Sequence, residues 1–325
     1  MTGKDLRIVF MGTPDFAVAS LRALTENGYQ VVGVITMPDK PAGRGQKLQE
    51  SAVKKYAVEQ GLTVLQPEKL KNPDFIRDLN DLQADLQVVV AFRMLPEVVW
   101  TMPRLGTFNL HGSLLPQYRG AAPLNWAIIN GEQETGVTTF LLDREIDTGK
   151  ILFKERIPIG KNDTAGDVHD RLMETGAGLV LKTVDAIAGG DYVAMPQAQL
   201  AGNGTLKHAP KIFKEDCRID WSWPGEQIRN LIRGLSPYPA AWTELVDKDG
   251  QAFMLKIYYA ELENGTGLVP GTLISDGKTS LKIAASDYVL NITDLQLSGK
   301  KRMKTADFLR GFHGIERFTV VSHES

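Results

Sequence analysis

Across residues 1–190, short continuous apolar runs alternate with longer segments whose apolar residues recur every three to four positions. A continuous apolar run is typical of a strand buried on both faces, and the longer period indicates an amphipathic helix. The runs predict strands at 6–11, 31–35, 62–65, 86–92 and 107–110. The periodic segments predict helices at 16–27, 51–60, 75–83 and 122–130. This alternation predicts an α/β domain with a mostly parallel, Rossmann-like sheet.

The pattern changes further along the chain. Two strands, 135–142 and 151–157, flank a loop at 143–150, and a long helix at 164–188 ends before Gly189-Gly190. The last third has one predicted helix and several short strands between Gly, Asp and Asn residues, at 225–235, 253–259, 271–274, 280–284 and 289–292. Short strands at this spacing predict a small OB-like β-barrel. The predicted organisation is a catalytic domain at 1–190, a connector at 191–207 and a barrel domain at 208–325.

Several classes of protein are excluded by simpler features. No apolar run approaches the ~18 residues of a membrane span, and MTGKDLRIVFMG lacks the apolar core of a signal peptide. The one cysteine, Cys217, cannot form an internal disulfide or a cysteine-only metal cage. We therefore expect a cytoplasmic protein without a membrane partner.

Metal and nucleotide chemistry find no support in the sequence. The histidines are never paired at the spacing of metal ligands, and none lies near the cysteine; they are His111, His169, His208, His313 and His323. Neither a phosphate-binding loop nor a complete dinucleotide fingerprint is present. No serine-nucleophile elbow is present either. We expect no metal and no bound nucleotide cofactor.

The most informative segment is NLHGSLLPQYRGAAP, which begins at Asn109. Asn109 and His111 are two positions apart on a predicted strand, so their side chains share one face of the sheet. They lie at the carboxyl end of that strand, where open α/β sheets bind ligands. An amide donor beside an imidazole suits acyl transfer. For the tripeptide alone, an ordinary strand end is the favoured interpretation.

A second candidate is Asp147, in the sequence DREIDTG. If this loop folds back over the sheet edge, the carboxylate could hold the ring of His111 in one orientation. Spacing alone favours the simpler interpretation, in which Asp147 forms a turn with Gly149.

The net charge is −2, so a nucleic-acid partner would have to be held by local basic clusters. One cluster is the loop PDKPAGRGQK, which contains Lys40, Arg44 and Lys47. The others are Lys207, Lys211 and Lys214 near the connector and residues 300–304, which include Lys301. A solvated surface loop is the favoured interpretation of the first cluster, and the others could equally be solvated turns.

Taken together, these segments resemble the 10-formyltetrahydrofolate-dependent formyltransferases. The resemblance rests on Asn109, His111, SLLPQYRGAAP and Asp147 and runs over nearly the whole chain. GTPDF at 12–16, PDKPAGRG at 38–45 and KEDCRIDWSWP at 214–224 are similar to the members that act on methionyl initiator tRNA. The resemblance implies 10-formyltetrahydrofolate as co-substrate, initiator methionyl-tRNA as partner, no metal and a monomer.

The resemblance also implies roles for individual residues. Asn109, His111 and Asp147 would be the catalytic trio. The folate would be held by Ser113, Leu114, Leu115 and Pro116, and by the segment containing Val90, Phe92 and Leu95. The tRNA would be bound by Arg44, Lys40, Lys47, Lys207, Lys211 and Lys301. The segment AFRMLP at 91–96 departs from the pattern of many relatives, which leaves the pterin contacts open.

Three other functions use parts of the same pattern. An amino-sugar formyltransferase or a formyltetrahydrofolate hydrolase would keep the trio and change the acceptor. A non-catalytic RNA-binding module would not need the trio. The basic loop and the barrel favour the tRNA acceptor.

Overall fold

The computed structural model describes residues 1–42, 47–200, 205–265 and 267–321. Its first elements are β1 (Arg7–Gly12), α1 (Asp15–Glu26), β2 (Gln30–Ile35), β3 (Lys40–Ala42), β4 (Lys47–Gln49), α2 (Ala52–Glu59), β5 (Val64–Leu65), α3 (Pro73–Asp81), β6 (Leu86–Val90), α4 (Glu97–Trp100), β7 (Thr107–His111), β8 (Arg119–Gly120), α5 (Pro123–Ile129), β9 (Glu134–Leu141), β10 (Ile151–Pro158) and α6 (Ala165–Gly189). The remainder are β11 (His208–Ala209), α7 (Gly225–Leu235), β12 (Ala241–Val246), β13 (Ala252–Asn264), β14 (Leu273–Ser275), β15 (Leu281–Ala284), β16 (Tyr288–Leu297), β17 (Met303–Lys304), α8 (Thr305–Gly311) and β18 (Thr319–Val320).

The chain divides into two compact units. The first contains residues 1–120, 134–157 and 169–208, and the second contains 121–133, 158–168 and the chain from 209 onward. Among the residues just described, no helix has both the length and the apolar character of a membrane span.

The first unit is built on a seven-stranded sheet in the order β10-β9-β7-β6-β1-β2-β5. Strands β2, β1, β6 and β7 pair in parallel, and β9 joins β7 antiparallel. This confirms the predicted Rossmann-like sheet. The chain order reverses on the two sides of β1, so the carboxyl ends of β1 and β6 form the switch point at which such sheets bind ligands. Gly12 pairs with Val90 there.

Strand β6 ends at Val90, two residues before the predicted end at Phe92. The reason is local, because Ala91 has a φ of 47° and leaves the extended conformation. Helix α4, which follows Pro96, is only four residues long and is too short to show a helical period.

Helix α6 approaches β7 closely at Gly176. A β-carbon on Gly176 would lie 2.7 Å from Cδ2 of Leu110. The hydroxyl groups of Thr139 and Thr183 meet at 2.9 Å in the same interface. The strand that carries Asn109 and His111 is thus backed by a closely packed helix.

The second unit contains the predicted barrel. Its strands follow the order β14-β15-β16-β13-β12-β18, with β17 on β16, and form a nearly closed antiparallel sheet. A β-carbon on Gly271, just before β14, would lie 4.0 Å from Cβ of Val320 on the last strand. The fully buried Trp221 is part of its core.

Strand β13 continues to Asn264, beyond the predicted end at Tyr259. Its pairing with β16 shifts register on both sides of Tyr259. Such irregularities bend a strand and interrupt its alternation of apolar and polar residues, which is why the sequence pattern stops there.

Candidate active site

Strand β7 presents Asn109 and His111 on one face, as their spacing predicts. Asn109 lies beside Val89 of β6 and Phe140 of β9 and is half-buried. Its carboxamide makes no hydrogen bond with any described residue. An amide held in a strand but left without a partner is available to a ligand.

His111 is 6% exposed, and a polar group of the protein faces each of its ring nitrogens. Its Nε2 lies 2.9 Å from the carbonyl oxygen of Tyr118. A carbonyl oxygen only accepts, so Nε2 carries the hydrogen and donates it. Nδ1 lies 3.8 Å from Oδ2 of Asp147, and the ring meets Phe140 edge-on at 6.5 Å between centroids. The imidazole therefore has one fixed orientation.

Asp147 reaches His111 because the loop between β9 and β10 folds back toward β7. Its Oδ2 accepts a hydrogen bond of 3.0 Å from the amide of Gly120, and its φ of 56° is left-handed. Gly149 completes the turn, since a β-carbon there would lie 1.7 Å from the carbonyl oxygen of Leu141. Asp147 is thus both a turn residue and a neighbour of His111.

The segment 113–116 is shaped mainly by buried contacts. Ser113 is fully buried, and its hydroxyl donates to the carbonyl of Gln117 at 2.7 Å. Leu115 is fully buried in a cluster with Phe140 and Ile151, and Pro116 is buried too. Only Leu114 is half-buried. A ligand beside this segment would therefore meet Leu114 and backbone atoms.

The segment 90–95 follows β6 next to the site. Val90 is fully buried and pairs with Leu110 of β7, while Phe92 is half-buried. Leu95 is 9% exposed and anchors the segment in the apolar core beneath it. The three residues named for the folate site thus form one side of the same sheet edge as Asn109.

Arg93 holds this segment in place and was missed by the sequence analysis. Its Nη1 donates to the carbonyl of Glu68 at 2.8 Å, and Nη2 donates to the carbonyl of Pro67. Its guanidinium also lies 5.6 Å from the centre of the Phe92 ring. Burial lowers the pKa of Arg93. The sequence feature that could have identified Arg93 is the presence of an arginine within the otherwise apolar run AFRMLP.

The basic residues named for tRNA are divided between the two units. Lys40 and Lys207 belong to the first unit and Lys211 and Lys301 to the second, and all four are exposed. Lys211 lies 5.3 Å from the centre of the Phe213 ring. Arg44 and the side chain of Lys47 lie outside the described residues.

Two cations of the cluster at 300–304 are paired within the barrel. Arg302 donates through two nitrogens to Asp294, at 2.9 and 2.8 Å, and lies over the ring of Tyr258. Lys304 lies 3.4 Å from the same carboxylate. Lys301 has no such partner among the residues placed by the structure.

An amide without a partner, a fixed imidazole and a carboxylate together provide the groups needed for acyl transfer. The amide can stabilise a developing oxyanion, and the imidazole and carboxylate can manage a proton. Within the described ranges, no group of three or more His, Cys, Asp or Glu residues could hold a metal ion.

A parallel sheet with these groups at the carboxyl end of β7, followed by an antiparallel barrel, is the arrangement of the formyl transferases, and the chain belongs to that family. The family model described as formyl transferase matches residues 6–184, and the model of its C-terminal domain matches 211–313. A relative from Bacteroides fragilis is called methionyl-tRNA formyltransferase. It is 60% identical over 321 residues, which cover 98% of this chain and 99% of the relative. The predicted family membership is confirmed.

Two solved structures share the fold at lower identity. The N-formyltransferase from Helicobacter canadensis, in complex with folinic acid and dTDP-3-aminofucose, has a TM-score of 0.61 and 22% identity. The match covers 88% of this chain and 98% of that one. HypX from Aquifex aeolicus, in complex with tetrahydrofolic acid, has a TM-score of 0.62 and 20% identity, with 94% of this chain matching 47% of the longer one. At these identities the likeness concerns the fold alone.

Proposed function

We propose that this chain transfers the formyl group of 10-formyltetrahydrofolate to the α-amine of methionyl initiator tRNA. The observation that carries this function is full-length similarity: the chain is 60% identical to a methionyl-tRNA formyltransferase across both family domains. The geometry around Asn109, His111 and Asp147 supports the same reaction.

Each of the three residues has its own role in the proposed acyl transfer. The amine attacks the formyl carbon, and the Nδ2 group of Asn109 donates to the formyl oxygen as it gains negative charge. His111 supports that charge and takes part in moving the amine proton. Asp147 keeps the imidazole in position. The new N–C bond replaces the bond to the folate nitrogen, which leaves with a proton.

The folate lies along the sheet edge formed by segments 90–95 and 113–116 in this proposal. The half-buried Phe92 and Leu114 offer apolar surface, and the turn after Val90 exposes backbone polar groups. These features fit a flat heterocycle that needs stacking and a few directed hydrogen bonds. Formyltetrahydrofolate supplies the one-carbon group.

The tRNA contacts are assigned to the exposed Lys40, Lys207, Lys211 and Lys301, together with Arg44 and Lys47. The exposure of the four described lysines supports contact with phosphates, which need accessible cations. We also propose a catalytic region at 1–190, a connector at 191–207 and a tRNA-binding region at 208–325, acting as a cytoplasmic monomer.

The single cysteine takes no part in this proposed reaction. Burial raises the pKa of the Cys217 thiol to about 11, so the thiol stays protonated and Cys217 serves as a structural residue.

The test is to incubate the purified protein with 10-formyltetrahydrofolate and methionyl initiator tRNA and to measure formylmethionyl-tRNA. Transfer that is lost in an Arg44→Ala variant would establish both the acceptor and the role of the basic loop. Turnover only with amino-sugar nucleotides, or formate release in water alone, would keep the trio and overturn the acceptor. Absence of folate binding would overturn the enzymatic function.

A further inference from the structure

Gln197, in the connector after α6, has an enclosed polar side chain. It begins a short 3-10 helix, Gln197–Gln199, and is 3% exposed. Its Nε2 donates to the carbonyl oxygens of Asp147 at 2.8 Å and Gly149 at 2.9 Å. Its Oε1 accepts from Nε and Nη2 of Arg119 at 3.0 and 2.7 Å. Both hydrogens and both lone pairs of the carboxamide are therefore used.

These contacts reach the site through three consecutive residues. The carbonyl of Tyr118 accepts from His111, the amide of Gly120 donates to the Asp147 carboxylate, and Arg119 between them holds Gln197. Gln197 in turn holds the backbone of the turn that carries Asp147. The positions of the imidazole and the carboxylate are thus linked through one closed set of hydrogen bonds.

The Asp147 turn needs such support. The backbone of Asp147 has a left-handed φ of 56°, a conformation that residues other than glycine adopt at a cost in free energy. Its neighbours Arg144, Glu145 and Ile146 are exposed and bury little surface. The two hydrogen bonds from Gln197 hold the backbone of the turn at Asp147 and Gly149.

We propose that Gln197 is a positioning residue for catalysis, which keeps the Asp147 carboxylate opposite Nδ1 of His111. Gln197 touches neither ring nor carboxylate and acts through the backbone of the turn. The inference rests on the proposed function, since it assigns Gln197 to the reaction of that site.

The most direct test is the variant Gln197→Glu, whose side chain has nearly the same shape and still offers an oxygen acceptor to Arg119. It replaces the Nε2 donor by an oxygen that faces the two carbonyl oxygens at 2.8 and 2.9 Å. We expect kcat for transfer to fall about 10- to 100-fold, since a displacement of ~1 Å in a catalytic group has effects of that size. The KM values for folate and tRNA should stay within about twofold, because no substrate contact is removed.

The matched control is Gln199→Ala in the same short helix. Gln199 is exposed and has no side-chain hydrogen bond with the described chain, so this variant should keep the kcat of the wild type. Arg119→Lys offers a milder change, because an ammonium cannot reproduce the two parallel donations to Gln197. It should lower kcat in the same direction by a smaller factor, which keeps the proposal testable if Gln197→Glu does not fold.

A double-mutant cycle separates positioning from general stability. In an Asp147→Ala background the turn no longer carries a carboxylate, so Gln197→Glu should lower kcat less than about twofold further. A full additional loss in that background would show that Gln197 supports the fold rather than Asp147 and would overturn the inference. Wild-type kcat in both Gln197→Glu and Arg119→Lys would overturn it as well. Failure of the proposed function is distinct, because then the wild-type protein itself shows no transfer.

Discussion

The site on β7 and the cationic residues of the barrel differ in how far their polar side chains are buried and fixed by neighbours. His111 is 6% exposed and is fixed by Tyr118 and Asp147 from two sides. Lys301 on the barrel is exposed, and its neighbour Arg302 is occupied by Asp294. In the proposed function, the first region holds groups in place for directed chemistry, whereas exposed lysines such as Lys301 would contact a diffuse charged partner.

This contrast predicts which substitutions should have large effects on the protein and which should have small ones. A group that acts on a reacting atom in a dry, fixed site changes the barrier by several kcal/mol. An exposed lysine that neutralises a phosphate contributes a small, salt-dependent share of binding. Four predictions test this contrast.

The largest effect is expected for the site itself. Asn109→Ala and His111→Ala should each lower kcat about 100-fold or more, because each removes a donor to the developing charge. Steady-state transfer assays, with circular dichroism to verify folding, measure this. Asn80→Ala and His313→Ala are matched controls at exposed positions. Near-normal turnover in both site variants would refute the assignment of the trio.

A smaller effect is expected for Arg93→Met. The variant leaves the carbonyls of Pro67 and Glu68 without their donor and frees segment 91–95. We expect the KM for formyltetrahydrofolate to rise about tenfold with kcat nearly unchanged, the equivalent of one lost directed contact of ~1.4 kcal/mol. Arg77→Met, in an exposed surface pair, is the control. An unchanged KM would remove this segment from the folate site.

The neighbouring residues Lys301 and Arg302 should respond in different measurements. Lys301→Ala should weaken tRNA binding about threefold and reduce the salt slope of log K by about one, without changing stability. Arg302→Ala should instead lower the free energy of unfolding by about 1 kcal/mol, because it leaves Asp294 with only Lys304. Binding titrations at several salt concentrations and chemical unfolding test the pair. The reverse outcome would show that Arg302 contacts the tRNA.

An effect similar in size to that of Arg302→Ala concerns pH and Asp294. Burial alone would raise the pKa of this carboxyl, but the hydrogen bonds and charges of Arg302 and Lys304 bring it below its ordinary value of 3.8. A carboxyl whose pKa is lower in the folded state stabilises the fold above pH 3.8 and loses that contribution as pH falls through the folded value. Asp294→Asn should therefore cost about 1 kcal/mol at pH 7.

The cost of Asp294→Asn should diminish in acid, as measured by unfolding at a series of pH values. Asp276→Asn is a useful comparison, because Asp276 is an exposed turn residue whose pKa is lowered by hydrogen bonds within its own turn. A constant difference between wild type and Asp294→Asn over the whole pH range would contradict the linkage.

Much of the fold followed from local pattern. The buried strands of the first unit stand out as continuous apolar runs, and its amphipathic helices as a period of 3.6 residues. The two-residue repeat of strand geometry places Asn109 and His111 on one face of β7 without knowledge of any neighbour. The sequence pattern is weaker where the backbone leaves regular geometry, as at Ala91 and around Tyr259.

By itself, then, the sequence determined the sheet, the barrel and the shared face of the amide and the imidazole. Only the tertiary structure decided that Asp147 meets His111, that Gln197 of the connector holds the Asp147 turn, and that Arg302 is engaged by Asp294. The reason is the separation along the sequence of the residues that make contact. Backbone periodicity is set by residues a few positions apart, whereas these contacts depend on how loops return to the sheet and how strands pair in the barrel. No local pattern of polar residues encodes those distances.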